Sequence, residues 1–123
     1  MYEYAAQILS VHDGDTIHAD VDLGCDTHVR LTLRLAGINA PELGGDEGVA
    51  AKVWLADDLA SSGGRLVIRT TKDRREKYGR YLAELWLAID GTWVGNAFTP
   101  TRSSVNARMV AEGHAVVYDG GKR

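Results

Sequence analysis

The sequence predicts a mainly β fold with helices, an α+β protein in which short antiparallel strands close into a small barrel. Three observations predict it. Apolar residues alternate with polar ones in successive runs of the first third of the chain, the period of a half-buried strand. Asp-Gly pairs at 13–14 and 90–91 punctuate those runs as hairpin turns. One stretch with helical spacing, residues 47–60, falls between strands instead of leading or closing the chain.

Each element follows from its own residues. Residues 4–12 read as a strand ending at Asp13-Gly14. From Asp15 to Leu23, Ile17, Ala19, Val21 and Leu23 share one face while Thr16, His18, Asp20 and Asp22 share the other. Leu23-Gly24-Cys25-Asp26 makes the next turn. Over 27–37, Val29, Leu31, Leu33 and Leu35 point inward, which turns Arg30, Thr32 and Arg34 outward. In EGVAAKVWLADDLA, Val49, Val53, Ala56 and Leu59 or Ala60 supply the apolar stripe, and Ser61-Ser62-Gly63-Gly64 ends the helix. Arg65 to Thr71 is a fourth strand and Tyr81 to Ile89 a fifth, closed by Asp90-Gly91. A Thr/Pro/Ser loop leads to a short second helix, Val105 to Glu112, with Ser103 or Ser104 as N-cap and Gly113 as its left-handed stop. His114 to Tyr118 is a last extended piece. Five strands with a helix inserted after the third describe an OB-fold-like barrel.

At 123 residues the chain suits one domain, 1–123. The lone Cys25 excludes an internal disulfide and a cysteine-based zinc site. The start, MYEYAAQILSVHDGD, shows neither a basic leader nor an apolar signal core, as in a protein that stays inside the cell or one whose leader has been removed. No run approaches membrane-spanning length. Net charge is -3, yet 69–80 holds six basic residues against Asp73 and Glu76, a local balance of +4 that leaves -7 for the remainder. Such a segment guides a phosphate-bearing ligand to one place, or is simply a solvated loop.

Four groups carry chemistry. Asp13-Gly14-Asp15-Thr16 sets two carboxylates, hard oxygen ligands, around a tight turn. RLAGINAPE, 34–42, delivers an arginine, a carboxamide and a glutamate at one strand end. Lys77-Tyr78-Gly79-Arg80 adds a second guanidinium with an aromatic and a lysine. Val105-Asn106 begins the second helix, where Asn106 is expected to satisfy nearby backbone groups. The four histidines, His12, His18, His28 and His114, lack paired helical spacing, and Trp54, Trp86 and Trp93 read as packing residues.

In this order, DGDT, RLAGINAPE, KYGR, VN and a closing Gly113, the chain resembles the staphylococcal nuclease (thermonuclease) family across most of residues 8–118. The resemblance implies an OB-like barrel and metal-dependent, usually Ca²⁺-dependent, hydrolysis of phosphodiesters in DNA and RNA. It implies that Arg34 and Arg80 clamp the scissile phosphate and that Glu42 positions or deprotonates the attacking water. A divalent cation, Ca²⁺ first, would rest on Asp15, Asn39 and the main-chain carbonyl of Ala40, with Asp13 in support. Lys77 and Tyr78 would contact a neighbouring phosphate, and Tyr118 would border the nucleotide pocket.

The chain departs from the pattern at three places. Asn39 stands where the best-known members have Asp; about a dozen residues, 92–104, are inserted before Val105; and the family's final helix is expected to be missing, since the sequence stops shortly after Tyr118. The alternative function is an OB module that binds nucleic acid with little or no catalysis. Substrate is DNA or RNA, no membrane is implied, and a dimer is one open possibility.

Overall fold

The computed structural model describes residues 2–72 and 80–118. The chain runs β1 (Tyr2–Asp13), β2 (Thr16–Gly24), β3 (Thr27–Leu35), β4 (Ile38–Asn39), α1 (Asp46–Ala60), β5 (Arg65–Lys72) and β6 (Tyr81–Leu87). A 3₁₀ turn (Ala88–Asp90), β7 (Gly91–Val94), β8 (Ala97–Pro100), α2 (Val105–Ala111) and β9 (Val116–Val117) follow. Five strands close into the expected barrel, in the order β1-β2-β3-β6-β5.

Four of the five joints are antiparallel, and only β3 with β6 is parallel, through Leu33↔Tyr81, Arg34↔Leu82 and Leu35↔Ala83. The parallel joint is short and joins segments distant in sequence. Asn106 bridges it from α2: its carboxamide nitrogen donates to Ala36 O at 2.9 Å and Ala83 O at 3.0 Å, and its oxygen accepts from Leu85 N at 3.0 Å. This corrects the expected local role, since Asn106 serves the barrel wall and not its own helix start. The helix cap is Ser104, whose hydroxyl accepts from Ala107 N at 3.1 Å, and Gly113 carries the left-handed stop at φ 80°.

Alternation dictates the interior. Ile17, Ala19 and Val21 from β2, Leu33 and Leu35 from β3, Leu66 and Ile68 from β5 and Leu85 and Leu87 from β6 are buried together, each large side chain contributing roughly 1.5–3 kcal/mol over exposure. Leu23, at the strand's outer end, is exposed. Both arms of the turn at Cys25-Asp26 have positive φ, 53° and 60°, the mirror-image turn that matches strand twist.

Two expectations are corrected. The buried stripe of α1 is Gly48, Ala51, Leu55 and Leu59, whereas Val49 and Val53 are 50% and 53% exposed. The side of α1 that meets the barrel approaches too closely for valine: a Cβ on Gly14, in the β1–β2 turn, would lie 2.8 Å from the Cβ atoms of both Ala40 and Ala51. The second concerns 92–104. Asp90-Gly91 is no hairpin turn; the fifth strand stops at Leu87, and β7 and β8 form their own hairpin about Gly95. Its Phe98 packs with Val67 and Trp86, covering the outer side of β5 and β6.

Candidate active site

Arg34 is the centre of the site, and its position follows from strand parity. Leu33 and Leu35 face the core, so Arg34 faces out, beside Thr16 of β2. The chain then reverses at Gly37, φ 77°, a backbone region that glycine enters without strain. That reversal folds β3's own continuation back on the guanidinium. Nη1 donates to the carbonyls of Ile38 and Leu35 at 3.4 and 3.5 Å. Nη2 donates to Asn39 Oδ1 at 3.2 Å and lies 3.6 Å from Asp15 Oδ2. Tyr118 is tied down by its N–H donating to Gly37 O at 2.8 Å, and its ring centroid is 5.5 Å from the Arg34 Cζ, within cation–π range.

Asp15 is built into the turn between β1 and β2 and is buried. Oδ1 accepts from the Thr16 hydroxyl at 3.2 Å and Oδ2 from the Ala40 N–H at 3.1 Å. Its own N–H donates to Asp13 Oδ1 at 3.1 Å, which fixes Asp13 as the supporting carboxylate of the turn. Burial pushes the Asp15 carboxyl above its ordinary value of 3.8, and Asp13 adds to the rise; the Ala40 N–H and the Arg34 guanidinium oppose it. The outcome is a carboxylate whose charge is incompletely offset, beside one guanidinium.

The remaining residues lie around this knot. Glu42 is exposed and, with Asn39, Ala40, Glu47 and His114, lines a cleft of about 390 Å³. Its main chain is held against α1 at Gly48, where a Cβ would clash with the Glu42 carbonyl. Gly48 is therefore a site-shaping residue that sequence reading missed; a glycine in a first helical turn carries no signal of what it touches. Arg80 directly precedes β6, whose first residue Tyr81 pairs with Leu33, the neighbour of Arg34, so the main chains at Arg34 and Arg80 come close across the parallel joint. Lys77 and Tyr78 lie outside the described residues.

The donors at this knot are hard oxygens, the type a divalent cation takes. Asp15 Oδ2 and Asn39 Oδ1 come from separate parts of the chain yet converge on one cationic nitrogen, and the Ala40 carbonyl belongs to the same turn. Among the described residues no group of three or more His, Cys, Asp or Glu gathers as a metal site. A cation at this knot would then take part of its ligands from neutral oxygens, which lower ligand charge and affinity.

A family model described as "Staphylococcal nuclease homologue" matches residues 32–123. Two Escherichia coli proteins, one from the O157:H7 strain, each called "Uncharacterized endonuclease", are 30% identical to the chain over 113 residues. The matches cover 92% of the chain and 60% of those proteins, so the chain spans well under their full length.

Proposed function

This chain belongs to the staphylococcal nuclease family, and from that premise we propose that it is a metal-dependent nuclease of endonuclease type, hydrolysing phosphodiester bonds of DNA and/or RNA. The observation that carries the reading is the convergence of Asp15, Arg34, Asn39 and Ala40 into one hydrogen-bonded knot at the strand end that also leads to Glu42.

In this reading Arg34 binds a phosphoryl oxygen. Its guanidinium is held by main-chain carbonyls on one side and so meets the substrate already oriented, which removes reorganisation from the reaction. Arg80 supplies a second planar fork from the neighbouring strand, and the two offset the charge that builds on the phosphoryl oxygens in the transition state. Lysine, a point charge, reproduces neither fork. Glu42, on the exposed loop, accepts a proton from water as the water oxygen bonds to phosphorus and the leaving oxygen departs. A divalent cation, Ca²⁺ first, held by Asp15, Asn39 and the Ala40 carbonyl with Asp13 in support, would polarise a phosphoryl oxygen. Tyr118 borders the nucleotide against Arg34, and Lys77 and Tyr78 contact a neighbouring phosphate.

Incubation of the protein with single-stranded DNA, with Ca²⁺ and separately with chelator, tests the proposal. Cleavage that chelator abolishes and Arg80→Ala reduces by about 10²–10³-fold is expected. Retention of the strand without cleavage under any divalent cation overturns the enzyme in favour of a binding module.

A further inference from the structure

The outer surface of β2 and β3 carries a row of polar side chains leading away from Arg34. Register sets Thr16 beside Arg34, His18 beside Thr32 and Asp20 beside Arg30. Arg34, Thr32 and Arg30 thus follow one another on a single strand face, over about 13 Å. His18 Nδ1 is 3.1 Å from the Thr32 hydroxyl, and its ring meets that of His12 edge to face at 6.3 Å. Arg30 is exposed and, among the described residues, has no hydrogen-bond or ion-pair partner. Its cross-strand neighbour Asp20 instead lies 3.6 Å from His28 Nδ1.

We propose that this face binds the sugar–phosphate chain of a single-stranded nucleic acid beyond the phosphate at Arg34, with Arg30 taking a second phosphate and the His12 and His18 rings receiving an unpaired base. The proposal rests on the reading of Arg34 as a phosphate ligand. Flat rings on a barrel surface stack bases of any identity once they are unpaired, and a duplex keeps its base faces inside. A guanidinium without a partner keeps its fork for a ligand. The row is short, because Asp22 and Asp26 follow on the same end of the β2–β3 hairpin and repel a phosphate chain.

Fluorescence anisotropy of the full chain with a labelled thymidine 12-mer and a labelled thymidine dinucleotide, in chelator, separates this face from the centre. Arg30→Gln is expected to weaken the 12-mer three- to tenfold, to reduce its salt slope by about 0.7, and to leave the dinucleotide unchanged. Asp20→Asn is expected to tighten the 12-mer. Equal effects of Arg30→Gln on both oligonucleotides, no effect on either, or no 12-mer binding by the parent protein overturns the proposal. Arg30-dependent 12-mer binding in a protein that cleaves nothing with Ca²⁺ upholds this face and sinks only the nuclease reading; cleavage with Arg30-independent binding does the reverse.

Discussion

Gly48→Ala should separate catalysis from folding. A methyl group on Gly48 would sit 2.5 Å from the Glu42 carbonyl carbon, 3.0 Å from the Leu43 Cα and nearer still to the Glu42 oxygen. Ordinary contact begins near 3.4 Å, so the loop and helix must part by at least about 0.9 Å, which is 3.4 less 2.5, and by more at the oxygen. All three contacts are backbone, and none can rotate away. Overpacking of this kind costs roughly 1–3 kcal/mol, partly offset by the roughly 1 kcal/mol that alanine gains over glycine in a helix. The barrel should therefore survive. Turnover should not, because a displacement of about 1 Å at a group that positions the nucleophile lowers rate by about 10²-fold. Steady-state cleavage of single-stranded DNA reads the rate, thermal melting the fold, and oligonucleotide affinity in chelator the intact Arg34 region. A variant that melts normally, binds normally and turns over at the parent rate would refute the argument that Glu42 acts from a position set by α1.

Three further outcomes are expected. Asn39→Asp adds a second anionic oxygen at the knot and should tighten Ca²⁺ on the order of tenfold, read by calorimetry; unchanged affinity would remove residue 39 from the ligand set. Asp15 has a folded-state value raised above 3.8, so its contribution to stability is full below 3.8 and lost as pH rises through the raised value; Asp15→Asn should escape that loss, melt higher than the parent at neutral pH and show no Ca²⁺-dependent rise in melting temperature, and identical melting curves across pH would contradict it. Arg108 forms a two-pronged pair with Asp58 at 2.6 and 2.8 Å, both side chains nearly buried, and lies 5.8 Å from the Trp54 ring; Arg108→Ala should cost roughly 2–4 kcal/mol by chemical denaturation, with part recovered when Asp58→Ala accompanies it.

Strand faces were legible in the sequence because alternation is enforced by burial: Ile17, Ala19, Val21, Leu33 and Leu35 are all interior. The face of α1 was not. Hydrophobicity ranks Val49 and Val53 above Gly48 and Ala51, but the helix approaches the β1–β2 turn and the Glu42 main chain so closely that small residues win the contact. The β7–β8 hairpin was hidden for a related reason, since Asp90-Gly91 and Gly95-Asn96 are both plausible turns, and the aromatic contact of Phe98 with Trp86 that favours the second is long-range. At the site, the motifs named Asp15, Arg34 and Asn39; that Arg34 reaches both oxygens depends on the reversal at Gly37, which spacing alone does not reveal.

The carboxamide of Asn106 has a consequence for how the molecule comes undone. It spans the one joint where neighbouring strands run the same way, and Arg34 and Arg80 lie on opposite sides of that line. Opening there parts the two cations while the β1–β2–β3 meander and the β5–β6 ladder stay zipped. Amide exchange at Ala36 and Leu85 would then outpace exchange inside either half, well before the protein melts.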